Sequence, residues 1–247
     1  MTTSDDTKKK TSMSSRGSGS GGLELSYNMK NPKRGLCVIL DVQNPGRSSC
    51  TKDARNVRSA FQYLGFNCTV HSTPTAATIQ KILTEASTWR DNAWSDCFVC
   101  LLLTPGKNGD MLVEGDQKFT TDMLTKYFVA SSCRSLKDKP KLFFVQIYED
   151  MEEVASDDIA VYDMTIPAEF DFFLCYDVSK RSNSGRKSNL IQAVDSLLRD
   201  TVAPYQAVEL QDIVRKAARM VSQASTTSCY MSTLRRRVVF SVKQLAR

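Results

Sequence analysis

Four largely apolar segments of strand length constrain the fold of this chain more than any other feature. They are Gly35–Asp41, Cys97–Leu103, Lys141–Ile147 and Phe172–Tyr176. A strand that is apolar on both faces is typical of a parallel sheet covered by helices on both sides. Segments with helical periodicity lie between these strands, so the sequence predicts an α/β sandwich with a largely parallel central sheet.

The helical segments carry apolar residues on one face and have recognisable end signals. In the first, Ala54, Val57, Phe61 and Leu64 share a face, and Gly65 is placed as a C-terminal cap. Thr75 is placed to cap the next helix. Because ligands bind at the carboxyl ends of parallel strands, we expect the functional residues in the loops after Leu103, Ile147 and Tyr176.

Composition and charge indicate one domain and argue against two classes of partner. With 247 residues and 41% hydrophobic content, the chain can bury one substantial core. The net charge of +6 is partly concentrated in 8–10 and 235–237, and no aromatic residues interleave with these basic runs, so we expect no nucleic-acid binding. No segment resembles a signal peptide or reaches the ~18 apolar residues of a membrane helix. We therefore expect a cytoplasmic protein with no membrane partner.

Eight cysteines and a single histidine limit the chemistry that the chain can perform. Most of the cysteines lie in apolar segments, where reduced thiols behave as small hydrophobic side chains. Cys97 and Cys100 form a CxxC pair, but a zinc site needs further ligands at a fitting distance, so we expect neither a metal nor another cofactor. His71 is predicted at a strand end, and any cysteine–histidine mechanism would have to use it.

Several segments of the sequence form an ordered series between about Leu25 and Val242. They include RSSCTKDARNVR at 47–58, KPKLFFVQ at 139–146, and the segments 165–176 and 232–240. This series resembles the caspase family (peptidase C14), in which the last two segments correspond to the opening of the small subunit and to its last strand. The resemblance is to caspases of the effector type with a short prodomain. It implies a caspase-like three-layer sandwich in which helices flank a central, mostly parallel six-stranded sheet.

The chain departs from the family at the two residues that carry the chemistry. Caspases have Ser-His-Gly where this chain has Thr104-Pro105-Gly106, and they have the nucleophilic cysteine where this chain has Tyr148. Proline cannot hold a proton, and a phenol, with a reference pKa of about 10, is a weaker acyl acceptor than a thiolate. The sequence therefore predicts a catalytically inactive homologue, a pseudocaspase, rather than an enzyme.

Other positions of the caspase site match. The resemblance assigns binding of a substrate aspartate to Arg47, Gln146 and Arg181, since a guanidinium fork suits a carboxylate. Gly106 keeps a backbone N–H that could serve an oxyanion. The sequence leaves open whether this pocket still binds, and we favour an inherited scaffold without a ligand.

The resemblance also divides the chain, which we expect to form one domain in all. A polar head at 1–23 is predicted to be disordered. A large-subunit-like (p20) region then covers 24–150, an acidic intersubunit linker 151–164 and a small-subunit-like (p10) region 165–247. In the linker, Asp158 and Asp163 are candidate cleavage sites for active caspases.

Caspases dimerise through their final strand, which the resemblance places at Val238, Val239, Phe240 and Val242. We therefore expect the chain to regulate apoptosis by binding active caspases, or itself, through this strand, as a decoy or inhibitor rather than an activator. Two alternatives remain. The chain could be a residual cysteine endopeptidase that cleaves after aspartate, with Cys100 or Cys133 as nucleophile, or it could be a caspase substrate.

Overall fold

The computed structural model describes residues 25–42, 50–107, 110–114, 117–150, 164–181, 190–201, 206–221 and 227–243. The predicted head and nearly all of the predicted linker lie outside the described residues. Within them, the large-subunit-like and small-subunit-like regions both contribute strands to one sheet.

The central sheet is mixed but mostly parallel. Its strands and those beside it are β1 (Leu36–Asp41), β2 (Asn67–Ser72), β3 (Phe98–Lys107), β4 (Asp110–Val113), β5 (Gln117–Phe119), β6 (Lys141–Asp150), β7 (Phe172–Arg181), β8 (Val208–Glu209), β9 (Thr227–Ser232) and β10 (Val239–Phe240). The order across the sheet is β2-β1-β3-β6-β7-β9, with only β9 antiparallel to its neighbour. The hairpin of β4 and β5 extends from β3, and β8 pairs separately with β10. The predicted six-stranded arrangement is confirmed.

Helices cover both faces of this sheet. They are α1 (Cys50–Tyr63), α2 (Ala76–Ser87), α3 (Thr121–Thr125), α4 (Leu190–Thr201) and α5 (Leu210–Val221). α1, α4 and α5 pack into one hydrophobic core, while α2 and α3 pack into a second core on the other face. Alternate side chains of β3 enter the two cores, as the two-residue period of a strand requires. The predicted three-layer sandwich is thus confirmed. No helix in the described ranges is long and apolar enough to cross a bilayer.

Both predicted helix-end signals are confirmed. Gly65 follows α1 with a φ of +91°, a left-handed value that favours a residue without Cβ, and its N–H donates to Gln62 O at 2.9 Å. Thr75 caps α2 by accepting a hydrogen bond from Thr78 N at 3.1 Å. These two ends position β2 between its flanking helices.

Three strands continue past the points where the sequence predicts loops. β3 reaches Lys107, β6 reaches Asp150 and β7 reaches Arg181. The loop expected directly after Ile147 is not found there, because Glu149 is only 7% exposed and lies between β3 and β7 in the sheet. Mutual pairing of three adjacent strands satisfies their backbone groups, and this holds polar residues in extended structure.

The run from Val238 to Val242 does not form the last strand of the main sheet, so its interpretation as an exposed interface strand is wrong. Val238 and Phe240 are 2% and 1% exposed, and Val242 packs partly buried against the same core. Val239 and Phe240 pair only with the two residues of β8. The apolar alternation reflects packing of one side of this segment on the core of its own chain. The sheet instead ends at β9.

Buried ion pairs join distant parts of the chain at the amino end of the sheet. Arg34 precedes β1 and is 1% exposed; its guanidinium donates to Asp96 Oδ2 at 3.0 Å and to Ser241 O at 2.7 Å. Lys243 forms a second ion pair with Asp96. These contacts tie the last described residues to the starts of β1 and β3.

A second cluster at this end explains part of the basic run at 235–237. Arg235 binds both carboxylate oxygens of Asp171, at 3.0 and 2.8 Å, and also reaches Asp138 at 2.8 Å. Tyr27 donates its hydroxyl to Asp171 Oδ1 at 2.7 Å, and the pKa of Tyr27 is raised, chiefly by burial. Arg235 is therefore part of the fold's internal bonding.

Candidate functional site

The carboxyl ends of β3, β6 and β7 lie side by side, and here the structure places the altered residues. Pro105 of β3 is the register partner of Tyr148 of β6, and Tyr148 is the register partner of Ser179 of β7. The structure therefore brings together the two positions at which the resemblance expects a base and a nucleophile. A proline and a phenol stand there.

The side chain of Tyr148 is bound within the fold. Its hydroxyl donates to Asp53 Oδ2 at 2.8 Å. Asp53 lies in the first turn of α1 and is 6% exposed, and its other oxygen accepts a hydrogen bond from Gln192 Nε2 of α4 at 2.9 Å. The Tyr148–Asp53–Gln192 cluster thus joins β6 to helices from both regions of the chain.

Gly106 has a strand neighbour on each side. It is the register partner of Glu149 in β6 and of Met111 in β4. Backbone N–H groups of a strand point sideways within the sheet, so the N–H of Gly106 is directed at a neighbouring strand. Its role as an oxyanion donor stays a prediction, and this pairing does not favour it.

Gln146 is completely buried, and its amide is already bound to other residues of this chain. Gln146 Nε2 donates to Asp177 Oδ2 at 2.8 Å and lies 3.1 Å from Ser179 Oγ. Ser179 Oγ donates to the same Asp177 oxygen at 2.7 Å, as does Leu190 N, at the start of α4, at 3.4 Å. In this Asp177 cluster, the chain's own Asp177 supplies the carboxylate that binds Gln146. The resemblance assigns Gln146 to the binding of a substrate aspartate.

The remaining predicted site residues lie wholly or partly outside the described part of the chain. Arg47, Asp158 and Asp163 lie outside the described residues. Arg181 ends β7 as the register partner of Asp150, and its side chain lies outside the described part of the chain. Their predicted roles stay predictions.

The cysteines of the CxxC pair are separated by the sheet. Cys97 belongs to the core that contains α1, and Cys100 belongs to the core that contains α2, so their thiols point to opposite faces. Burial raises the pKa of Cys97 to about 12 and also raises that of Cys100. Among the described residues, no three potential ligands are grouped as a metal site.

The single histidine lies far from Cys100, the candidate nucleophile in the sheet. His71 of β2 pairs with Leu40, whereas Cys100 of β3 pairs with Val38. Two strand spacings of ~4.8 Å and two residues of ~3.3 Å separate them by more than about 10 Å. Burial lowers the pKa of His71, and the charge of Glu85 opposes that effect.

The outer edge of β9 forms a second candidate site. In the described part of the chain, β9 pairs with β7 on one side and with no strand on the other. Tyr230 on β9 is 37% exposed, and Met220 on neighbouring α5 is 56% exposed. A groove with a volume of about 300 Å³ lies between the two elements and is lined by residues that include Val214, Ala218 and Tyr230.

Sequence reasoning missed four residues of these clusters. Asp53 and Gln192 lie on different helices far from Tyr148 in sequence, so only the fold brings them together. Asp177 could have been found from the sequence, because it is a charged residue next to an apolar strand segment. A buried charged residue requires a hydrogen-bond or charge partner. Tyr230 lies in a short segment in which Ser and Thr flank Cys-Tyr-Met.

Comparisons with known proteins agree with the motifs and the fold. The Caspase domain (Peptidase_C14) matches residues 34–239. Caspase-3 of Felis catus is 31% identical over 196 residues, which cover 72% of this chain and 69% of that protein. Caspase-3 of Bos taurus is 28% identical over 245 residues, which cover 88% of each.

A solved structure extends the likeness to the fold. The structure of pro-sf-caspase-1 matches with a TM-score of 0.73 and 24% identity, over 88% of this chain and 99% of that one. Because the caspase-domain match runs from just before β1 to the start of β10 and includes every strand of the main sheet, the chain belongs to the caspase family.

Proposed function

We propose that this chain is a caspase-family protein without peptidase activity, which regulates apoptosis by binding an active caspase or a second copy of itself. The observation that carries the proposal is the pairing of Pro105 with Tyr148 at the carboxyl ends of β3 and β6. These residues stand where the family resemblance expects the catalytic base and nucleophile.

The chemistry of this pair supports the absence of turnover. A cysteine peptidase needs a thiolate and a group that carries protons to and from the reacting atoms. Pro105 has no titratable group, and the hydroxyl of Tyr148 is held by Asp53 at 2.8 Å. The sole histidine of the sequence lies on the edge strand β2, which is separated from β3 by β1.

A residual cysteine peptidase is the second candidate, and the surroundings of the thiols argue against it. Cys100 is 0% exposed, and burial raises its pKa, so its thiolate is disfavoured. Cys133 is 2% exposed and donates to Ser87 O at 3.0 Å. Turnover of an aspartyl peptide by the wild type that disappears in Cys100→Ala or Cys133→Ala would favour the peptidase.

The proposed binding surface is the outer edge of β9 together with the groove beside α5. An unpaired strand edge offers N–H and C=O groups to a strand of the partner. Tyr230 and Met220 add exposed apolar area next to that edge. If β9 pairs with the same strand of a second copy, one surface serves both protomers, as two-fold symmetry requires.

The proposed direction of regulation is inhibition. A partner that pairs with this chain would form an assembly in which one of the two protomers has no catalytic pair. The bound partner would also no longer be available to pair with a second active protomer. Activation, by ordering of the partner's loops, is the other outcome that a rate measurement would reveal.

Sedimentation velocity of the wild type alone, and mixed with active caspase-3, tests the proposed surface. We expect a dimer or a mixed complex, and we expect Tyr230→Arg to abolish it. Tyr63→Arg is the matched control, because Tyr63 is a tyrosine on α1 with 44% exposure. A charged substitution at Phe240 is unsuitable, because that side chain is 1% exposed and the variant would lose its core packing. A strictly monomeric wild type that forms no complex would contradict the proposal.

The remaining alternative, a caspase substrate, has a separate test. Incubation with active caspase-3 followed by intact-mass measurement would reveal cleavage after Asp158 or Asp163. Asp158→Asn and Asp163→Asn identify the bond. An intact chain after long incubation would remove this alternative.

A further inference from the structure

The buried carboxylate of Asp177 is surrounded by donors from three parts of the fold. Asp177 is 0% exposed at the carboxyl-end half of β7. Its Oδ2 accepts hydrogen bonds from Gln146 Nε2 of β6 at 2.8 Å, from Ser179 Oγ of β7 at 2.7 Å and from Leu190 N of α4 at 3.4 Å. An amide, a hydroxyl and a backbone N–H that converge on one oxygen form a receptor suited to a carboxylate.

The orientation of the Gln146 amide is fixed by its surroundings. Besides Asp177 Oδ2, its Nε2 lies 3.2 Å from Asp177 O, 3.1 Å from Ser179 Oγ and 3.4 Å from Ile147 O. The opposite orientation would place the amide oxygen against three carbonyl or carboxylate oxygens. Both hydrogens of Nε2 are therefore used inside the chain, while Oε1 is buried with no donor among the described residues.

We propose that the donors of Gln146, Ser179 and Leu190 form a carboxylate site whose permanent occupant is Asp177, so that the chain excludes acidic ligands from it. A ligand carboxylate would have to displace a group that is covalently tethered next to the donors and is thus present at high effective concentration. It would also bring a second negative charge into a buried site. Asp177 is then the residue that determines specificity at this position. The proposal does not rest on partner binding through β9.

Chemical rescue of Asp177→Ala tests the occupant directly. The variant keeps the three donors and removes their acceptor, so it should melt at a lower temperature than the wild type. Acetate should raise that melting temperature progressively, in proportion to the logarithm of its concentration above Kd, relative to sodium chloride at the same ionic strength. At an acetate concentration of about ten times Kd, the ratio of folded to unfolded protein should rise about 10-fold. The wild type should show no difference between the two salts.

Two further variants make each outcome decisive. Gln146→Leu combined with Asp177→Ala removes one donor and should reduce the acetate response. Asp177→Asn retains an acceptor oxygen and should fold without responding to acetate. If Asp177→Ala is unfolded in chloride, recovery of its native circular dichroism in acetate supports the proposal, and no recovery overturns it. An equal response to acetate in the wild type would overturn it as well.

A peptide measurement addresses the exclusion of acidic ligands by the wild type. The probe is a short peptide that ends in aspartate, compared with the same peptide ending in asparagine, by calorimetry. We expect no preference for aspartate. A preference of 10-fold or more that disappears in Gln146→Leu would show an open carboxylate site and would overturn the proposal.

Discussion

The buried carboxylates at the two ends of the sheet have different kinds of partner. At the amino end, Arg34 and Lys243 hold Asp96, and Arg235 holds Asp171, so opposite charges tie together segments far apart in sequence. At the carboxyl end, hydroxyl and amide groups bind Asp53 and Asp177.

This difference distinguishes the amino end of the sheet from the carboxyl end, where the resemblance to caspases places the catalytic positions. The amino end holds charges that would be costly to bury alone. The carboxyl end carries the altered residues, and among its described side chains Tyr148 binds Asp53 and Gln146 binds Asp177. We therefore expect large stability losses from changes at the amino end and smaller ones from changes at the carboxyl end.

The largest effect is expected for Asp96→Ala. This change leaves Arg34 and Lys243 without their shared carboxylate, and removal of one partner of a buried ion pair lowers the free energy of unfolding by about 3–5 kcal/mol. Urea denaturation measures the loss. Asp91→Ala is the control, since its partner Lys33 is half exposed, and it should cost less than about 1 kcal/mol. Equal losses would contradict the role of the amino end.

A smaller effect is expected for Tyr148→Phe. It removes the hydrogen bond to Asp53 and keeps the ring, which lowers the free energy of unfolding by about 1 kcal/mol. Tyr127→Phe removes a hydroxyl for which the described residues show no hydrogen bond, and it should change stability less. A loss for Tyr148→Phe as large as that for Asp96→Ala would remove the distinction between the two ends.

A modest pH dependence is expected from His71, which belongs to neither end cluster. Because burial lowers its folded-state pKa, the unfolded chain binds more protons between that pKa and the unfolded value of about 6.5. The contribution of His71 to the free energy of unfolding should be complete above about pH 6.5. It should fall as the pH drops towards the folded-state pKa. An NMR titration of the single imidazole gives the pKa, and His71→Gln should remove this part of the pH dependence. A folded-state pKa above 6.5 would reverse the sign.

No gain of activity is expected when the two altered residues are replaced together. Pro105→His with Tyr148→Cys restores a base and a nucleophile on neighbouring strands, but the N–H of Gly106 still faces a strand and Gln146 stays bound to Asp177. Hydrolysis of an aspartyl peptide should remain at background. Turnover that requires both substitutions would contradict this expectation. It would mean that Pro105 and Tyr148 alone prevent peptide hydrolysis.

Most of the fold could be predicted from the sequence, because its signals are local. The apolar segments locate β1, β3 and β6, and side-chain periodicity with Gly65 and Thr75 locates the first helices. β9 could not be recognised in the same way. It is an edge strand whose residues include exposed positions, whereas the more apolar run from Val238 to Phe240 packs into the core.

The candidate site was predictable in its positions but not in its partners. The motifs locate Pro105, Gln146 and Tyr148, and parallel strands bring their positions to one end of the sheet. The groups that bind them, Asp53 and Asp177, depend on tertiary contacts and on strands that run further than their apolar segments.

We propose that this caspase-family chain regulates an active caspase by binding it and has no peptidase activity of its own. The most direct measurement is the rate at which active caspase-3 cleaves an aspartyl peptide, recorded while wild-type chain or Tyr230→Arg is added. We expect no turnover by the chain alone, a saturable fall in the caspase rate with the wild type, and no effect of Tyr230→Arg. Turnover by the chain alone, or a caspase rate that neither protein changes, would contradict the proposed regulation by binding.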